Sequence, residues 1–123
     1  MSPYELEVTA REDVVCASLA GELDLTNAAE VEARLRDAAP EAPLVIDLSR
    51  VTFLDSAGLH LLFRLARARG RGGLGIVVQP GATVARTLEI AGVAEAAAVG
   101  PALAEVRTAL AAARPRFPSP ARG

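Results

Sequence analysis

Tryptophan and lysine are absent from this 123-residue chain, and cysteine, histidine and tyrosine occur once each. One cysteine excludes an internal disulfide and leaves no cysteine cluster for a structural metal. Cys16 lies in an apolar run and reads as a small buried hydrophobe. With three phenylalanines and one tyrosine, the core has to be aliphatic. Every basic residue is arginine, 13 in all against 15 acids, for a net charge of −2 and a pI near 5.4. A nucleic-acid binder is expected to show a basic surplus, and none is present. No run approaches the ~18 apolar residues of a membrane helix. The start, Met1-Ser2-Pro3-Tyr4-Glu5, has neither a basic leader nor an apolar stretch. The expectation is a cytoplasmic, soluble chain with no direct membrane insertion and no nucleic-acid partner.

What is present suits one α/β domain: hydrophobic residues make up 51% and charged residues 23%. Tyr4, Leu6 and Val8 alternate with polar residues, the period of a half-exposed strand. Val14–Leu19 reads as a second strand buried on both faces and paired with the first as a hairpin, and Gly21-Glu22-Leu23-Asp24 reads as its break. Thr26 or Asn27 can cap a helix whose inner face is Ala28, Val31, Leu35 and Ala38, with Glu30, Glu32, Arg34 and Arg36 toward water. Leu44–Leu48 predicts a buried strand and 49–54 a connecting segment. Asp55-Ser56 opens a second helix with Leu59, Leu62, Phe63 and Ala66 inward. Gly75–Val78 predicts a strand, then a helix with Val84, Leu88 and Ala91 inward and Gly92 as its left-handed cap. Ala96–Val99 reads as a weak strand before a last helix buried through Leu103, Val106 and Leu110. The order β-β-α-β-α-β-α-β-α predicts a mainly parallel sheet of four to five strands, an antiparallel N-terminal hairpin strand and about four helices. Residues 4–112 form the expected domain and 113–123 a disordered Pro/Arg tail.

Loops that follow parallel strands collect at one sheet edge. The loop at Glu22-Leu23-Asp24 and the loop at Asp55-Ser56 both follow strands, so they are expected to be neighbours there. Ser56 falls at a helix N-terminus, where backbone N–H groups and the helix dipole favour negative charge. Either Asp55 or Ser56 can serve as the cap. A phosphate on Ser56 would add about −1.5 to −2 charges, which Asp55 would resist, and so would a partner surface fitted to a neutral hydroxyl. Gly58 would let the helix start approach a neighbouring backbone.

The stretch Asp47-Leu48-Ser49-Arg50-Val51-Thr52-Phe53-Leu54-Asp55-Ser56-Ala57-Gly58-Leu59 resembles the phosphorylation-site signature of STAS-domain anti-sigma factor antagonists. Gly21-Glu22-Leu23-Asp24 resembles that family's second hallmark at a fitting distance upstream. The resemblance implies a STAS fold over about residues 4–112, with Ser56 as phosphoacceptor. Ala57 stands where a second serine often follows. Asp24 and Asp55, with Glu22, Thr26, Ala57 and Gly58 around them, fall near the implied partner-binding face. The implied partner is an anti-sigma factor with serine kinase activity, bound by the unphosphorylated form and released by phosphorylation. A metal-dependent serine phosphatase restores the active form. The chain shows no nucleotide motif, so the kinase acts in trans and no cofactor is expected.

Three other signals bear on function. Arg69-Gly70-Arg71-Gly72-Gly73-Leu74-Gly75 lacks the Gly-Lys-Ser/Thr ending of a phosphate loop and precedes a strand, so it reads as a helix stop. His60, Arg64, Arg67 and Arg71 recur at helical spacing away from the expected core face. They read as a solvated face or as a docking stripe for an acidic patch. Leu54-Asp55-Ser56-Ala57-Gly58 is weakly similar to a nucleophile elbow but lacks its first glycine. A serine hydrolase is therefore the remote alternative to a non-enzymatic regulator. A STAS scaffold, or a subunit of a signalling assembly or membrane transporter, is the nearer one.

Overall fold

A computed structural model describes residues 1–113. The expected tail lies outside the described residues except for Ala113, which is helical. Five strands form one sheet in the spatial order β1-β2-β3-β4-β5. They are β1 (Tyr4–Ala10), β2 (Val15–Leu23), β3 (Leu44–Leu54), β4 (Leu74–Val77) and β5 (Ala98–Gly100). β1 pairs antiparallel with β2, and the other neighbours are parallel. Four helices connect or follow them: α1 (Ala28–Ala38), α2 (Ser56–Arg69), α3 (Thr83–Ala91) and α4 (Leu103–Ala113). This is the architecture the element order implied.

Residues of α1, α2 and α3 share one core with Ala17, Leu19, Leu44, Ile46, Leu48, Leu74 and Ile76 of the sheet. On the other face, Val106 and Leu110 of α4 pack with Val14, Val45 and Val77. Full burial of one such Leu or Val stabilises by about 1.5–3 kcal/mol, so an aliphatic core is sufficient without tryptophan. β2 is not buried on both faces: Ala17 and Leu19 are buried, but Cys16, Ser18 and Ala20, which alternate with them, are only half-buried. On that side Cys16 packs, partly buried, against the cluster that includes Val106 and Leu110 of α4. Cys16 is accordingly a partly covered thiol, raised from its ordinary value by burial first and then by Asp47.

Two strands run further than the sequence predicts, and both extensions serve the same edge. β2 does not break at Gly21 but continues to Leu23. Gly21 adopts φ 101°, and a Cβ there would lie 2.5 Å from the Pro3 carbonyl oxygen. The β2–β3 register shifts around it, so the expected breaker is absorbed as a bulge. β3 likewise includes 49–54, because the extended end of β2 gives it a partner: Gly21 lies opposite Val51, Glu22 opposite Phe53 and Leu23 opposite Leu54.

Three smaller expectations shift. The buried face of α2 is Gly58, Leu61, Leu62, Leu65 and Ala66, with Leu59 and Phe63 only half-buried. Counting Gly58 as a small core residue restores the i, i+3, i+4, i+7 pattern. The last strand begins at Ala98, after a 3-10 turn over Val93–Glu95. Glu32 does not face water: its side chain is 14% exposed and binds two arginines. Gly92 ends α3 in the left-handed conformation as expected, its N–H donating to Leu88 O and Glu89 O.

Candidate functional site

The extended ends of β2 and β3 deliver two loops to one edge of the sheet, residues 24–27 before α1 and Asp55 before α2. Asp55 is the cap of α2: its backbone is extended and its Oδ1 accepts the Gly58 N–H at 3.1 Å. Its Oδ2 accepts the Leu25 N–H at 3.2 Å, and its own N–H donates to the Leu23 carbonyl at 3.3 Å. One carboxylate thus satisfies an orphan donor of a helix start and locks the neighbouring loop against it.

Ser56 is the first helical residue and is exposed; Ala57 is half-buried and Gly58 buried. A Cβ on Gly58 would stand 2.5 Å from a Leu54 methyl and 2.9 Å from the Leu23 carbonyl oxygen. Gly58 therefore sets how closely α2 approaches the strand ends.

Asp24 is half-buried and held both by its own loop and by the N-terminal segment. Its Oδ2 accepts the Ser2 hydroxyl, and its Oδ1 accepts the Thr26 hydroxyl at 2.6 Å and the Thr26 N–H at 3.0 Å. These bonds, the Ser2 hydroxyl first, hold its carboxyl below the usual aspartate value. The residue that sequence reading undervalued is Asn27. It is 1% exposed and occupies the cap position of α1 without a side-chain capping bond. Its Oδ1 accepts the Asp24 N–H at 3.1 Å, while its Nδ2 donates to Glu22 O at 2.8 Å and Ser2 O at 3.2 Å. That one amide ties the end of β2 and its loop to the N-terminal segment. The only advance signal was its place one residue before an apolar-periodic run, which any capping asparagine shares.

Glu22 is half-buried opposite Phe53, and Thr26 is exposed. Leu25 is 79% and Phe53 48% exposed, so two apolar side chains flank the Asp55–Ser56 turn. Sequence reading did not single them out, because both stand where a core residue would be expected.

The basic stripe of α2 is not a uniform row. Arg64 pairs with Glu32 of α1, Nη2 to Oε1 at 2.7 Å, and Glu32 also takes Arg36 at 2.8 Å. Arg64 and then Arg36 hold Glu32 below its usual value. His60 and Arg67 are exposed, and Arg71 lies beyond the helix end. Among the described residues, no hydrogen bond joins His60 to Ser56 or to a carboxylate. No helix among them is long and apolar enough to cross a membrane.

Comparison with known proteins agrees with this geometry. The STAS domain family model matches residues 5–106. The chain is 34% identical over 95 residues, 74% of its length, to the anti-sigma-F factor antagonist RsfB of Mycobacterium tuberculosis, 78% of which is covered. It resembles the crystal structure of an anti-sigma factor antagonist from Mycobacterium paratuberculosis, with TM-score 0.79 and 31% identity over 89% of this chain and 95% of that one. The anti-sigma factor antagonist SpoIIAA in its unphosphorylated form shares the fold, with TM-score 0.61 and 24% identity over 84% of this chain and 91% of that one.

Proposed function

This chain belongs to the STAS-domain family, and from that premise we propose that it is an anti-sigma factor antagonist whose docking face is switched by phosphorylation of Ser56. The general role is supported by the names of its relatives at 34% and 31% identity. The partner is an anti-sigma factor with serine kinase activity, and a serine phosphatase acting on phospho-Ser56 reverses the modification.

One observation carries the reading: the exposed Ser56 hydroxyl stands at the first helical position, next to a carboxylate that is tied to the Asp24 loop. The docking face is then one edge built from Glu22 at the end of β2, Asp24 and Thr26 on the loop after it, and Asp55, Ser56, Ala57 and His60 at the start of α2, with Gly58 packed beneath them. Leu25 and Phe53 supply apolar area. Arg67 extends the rim along α2, and Arg64 contributes less because Glu32 already balances its charge. A phosphate brings about −1.5 to −2 charges beside Asp55 and Asp24. Asp55 already occupies the Gly58 N–H, so the helix start has less to offer the incoming anion. Like-charge juxtaposition across an interface costs several kcal/mol, sufficient to release a partner without unfolding the domain.

Intact-mass analysis after incubation with candidate kinases and ATP tests the site. One added phosphate on wild type and none on Ser56→Ala is the expected result; equal addition to both rejects Ser56. Ser56→Asp should weaken kinase binding at least tenfold with an unchanged circular dichroism spectrum. A large loss of helix signal would show instead that the charge acts on the fold.

A further inference from the structure

At the edge of the sheet away from Ser56, α1 and α2 end near one another. The loops that follow them, residues 39–43 and 70–73, enclose a cavity of about 420 Å³. Its lining includes Arg36, Arg69 and Arg71 against a single carboxylate, Glu41. The Arg-Gly-Arg-Gly-Gly segment that reads as a helix stop is therefore also a wall of this cavity.

The charges here do not balance. Arg36 has Glu32, but Glu32 is shared with Arg64. Arg69 is half-buried, and its Nη1 donates to the Ala42 carbonyl at 2.9 Å. That bond uses one of five guanidinium donors. Burial first, and then the positive charge of Arg36, disfavour the charged form of Arg69. Arg71 is exposed at the mouth. Three guanidiniums thus line the cavity against one carboxylate. The C-terminal ends of α1 and α2 add about half a negative charge each, which leaves a surplus of about one positive charge. Helix-end capping accounts for some of the arginines but not for the surplus. A planar guanidinium fork matches a tetrahedral oxyanion bidentately.

We propose that this cavity is a binding site for a small, multiply charged oxyanion of the phosphate or phosphate-monoester class, gripped by Arg69 and Arg71 with Arg36 behind them. The ligand would neutralise the surplus and relieve the repulsion between Arg36 and Arg69. The site lies at the far end of a 14-residue helix from Ser56, about 21 Å along its axis, and is separate from the docking face.

The test is an NMR titration of the ¹⁵N-labelled full chain with sodium phosphate and, separately, with glycerol 3-phosphate, each against sodium chloride at matched ionic strength. Saturable shifts at the amides of Gly70, Gly72 and Gly73, absent with chloride, are expected. Arg71→Gln should weaken binding at least tenfold, with Arg71→Lys intermediate; Arg71 is exposed, so the fold survives the change. Tighter binding of the monoester identifies an organic phosphate as the ligand, and equal or weaker binding identifies the free anion. Shifts that stay linear, or an affinity unchanged in Arg71→Gln, overturn the proposal. Neither result bears on phosphorylation of Ser56, whose readout is the mass of the protein.

Discussion

Asp55 accepts hydrogen bonds from two segments at once: the Gly58 N–H of its own helix at 3.1 Å and the Leu25 N–H of the neighbouring loop at 3.2 Å. The loop carrying Asp24 and the helix carrying Ser56 are thereby one rigid unit, and substitutions at Asp55 should report on both.

Asp55→Ala removes a cap and should cost about 0.5–2 kcal/mol. Asp55→Asn keeps one acceptor oxygen and should cost less. Urea midpoints rank the two variants. Amide exchange at Leu25 should quicken in both, and unchanged exchange there would mean that the loop does not depend on the carboxylate.

Gly58→Ala sets two effects against each other. Alanine is favoured over glycine in a helix by about 1 kcal/mol, but its methyl would enter the space of Leu54 and the Leu23 carbonyl. Overpacking against backbone costs about 1–3 kcal/mol, so net destabilisation is expected. A raised melting temperature would show that α2 can move away without loss.

Asn27 is tested by making its donor an acceptor. Asn27→Ala leaves buried backbone groups unpaired at about 1–3 kcal/mol. Asn27→Asp instead points a carboxylate oxygen at the carbonyls of Glu22 and Ser2, next to Asp24. Burial and that neighbourhood raise the new carboxyl group's pKa, so the variant should be nearer wild type in acid and lose stability as pH rises. Stability measured by urea at several pH values gives the slope; a flat difference from wild type would contradict the assigned amide orientation.

Glu32 links α1 to α2 through Arg64. Its folded value is lowered, so its contribution is present above the ordinary glutamate value of about 4.3 and is lost as pH falls through the lowered one. Glu32→Gln should cost about 0.5–1 kcal/mol at neutral pH and low salt, less at 1 M salt, and nothing in acid. Denaturation in the three conditions checks the pattern, and a cost independent of pH would assign it to packing.

The order of strands and helices, the Asp-Ser turn and the need for glycine at position 58 were legible from residue order. Alternation, helical spacing and turn residues are local properties that the chain displays without folding. The extents of β2 and β3 were not legible, because polar Ser49 and Arg50 interrupt the apolar run and only pairing with the bulged end of β2 carries the strand on. The same holds for Asn27, Glu32 and Arg64. The bond of the buried Asn27 amide to Ser2 and the reach of Glu32 to Arg64 are contacts between residues far apart in sequence. Sequence alone therefore determined which groups this protein carries to the edge of its sheet. Tertiary packing decided which of them face outward and which are already spent on one another, because hydrogen bonds and ion pairs depend on distance through space and not along the chain.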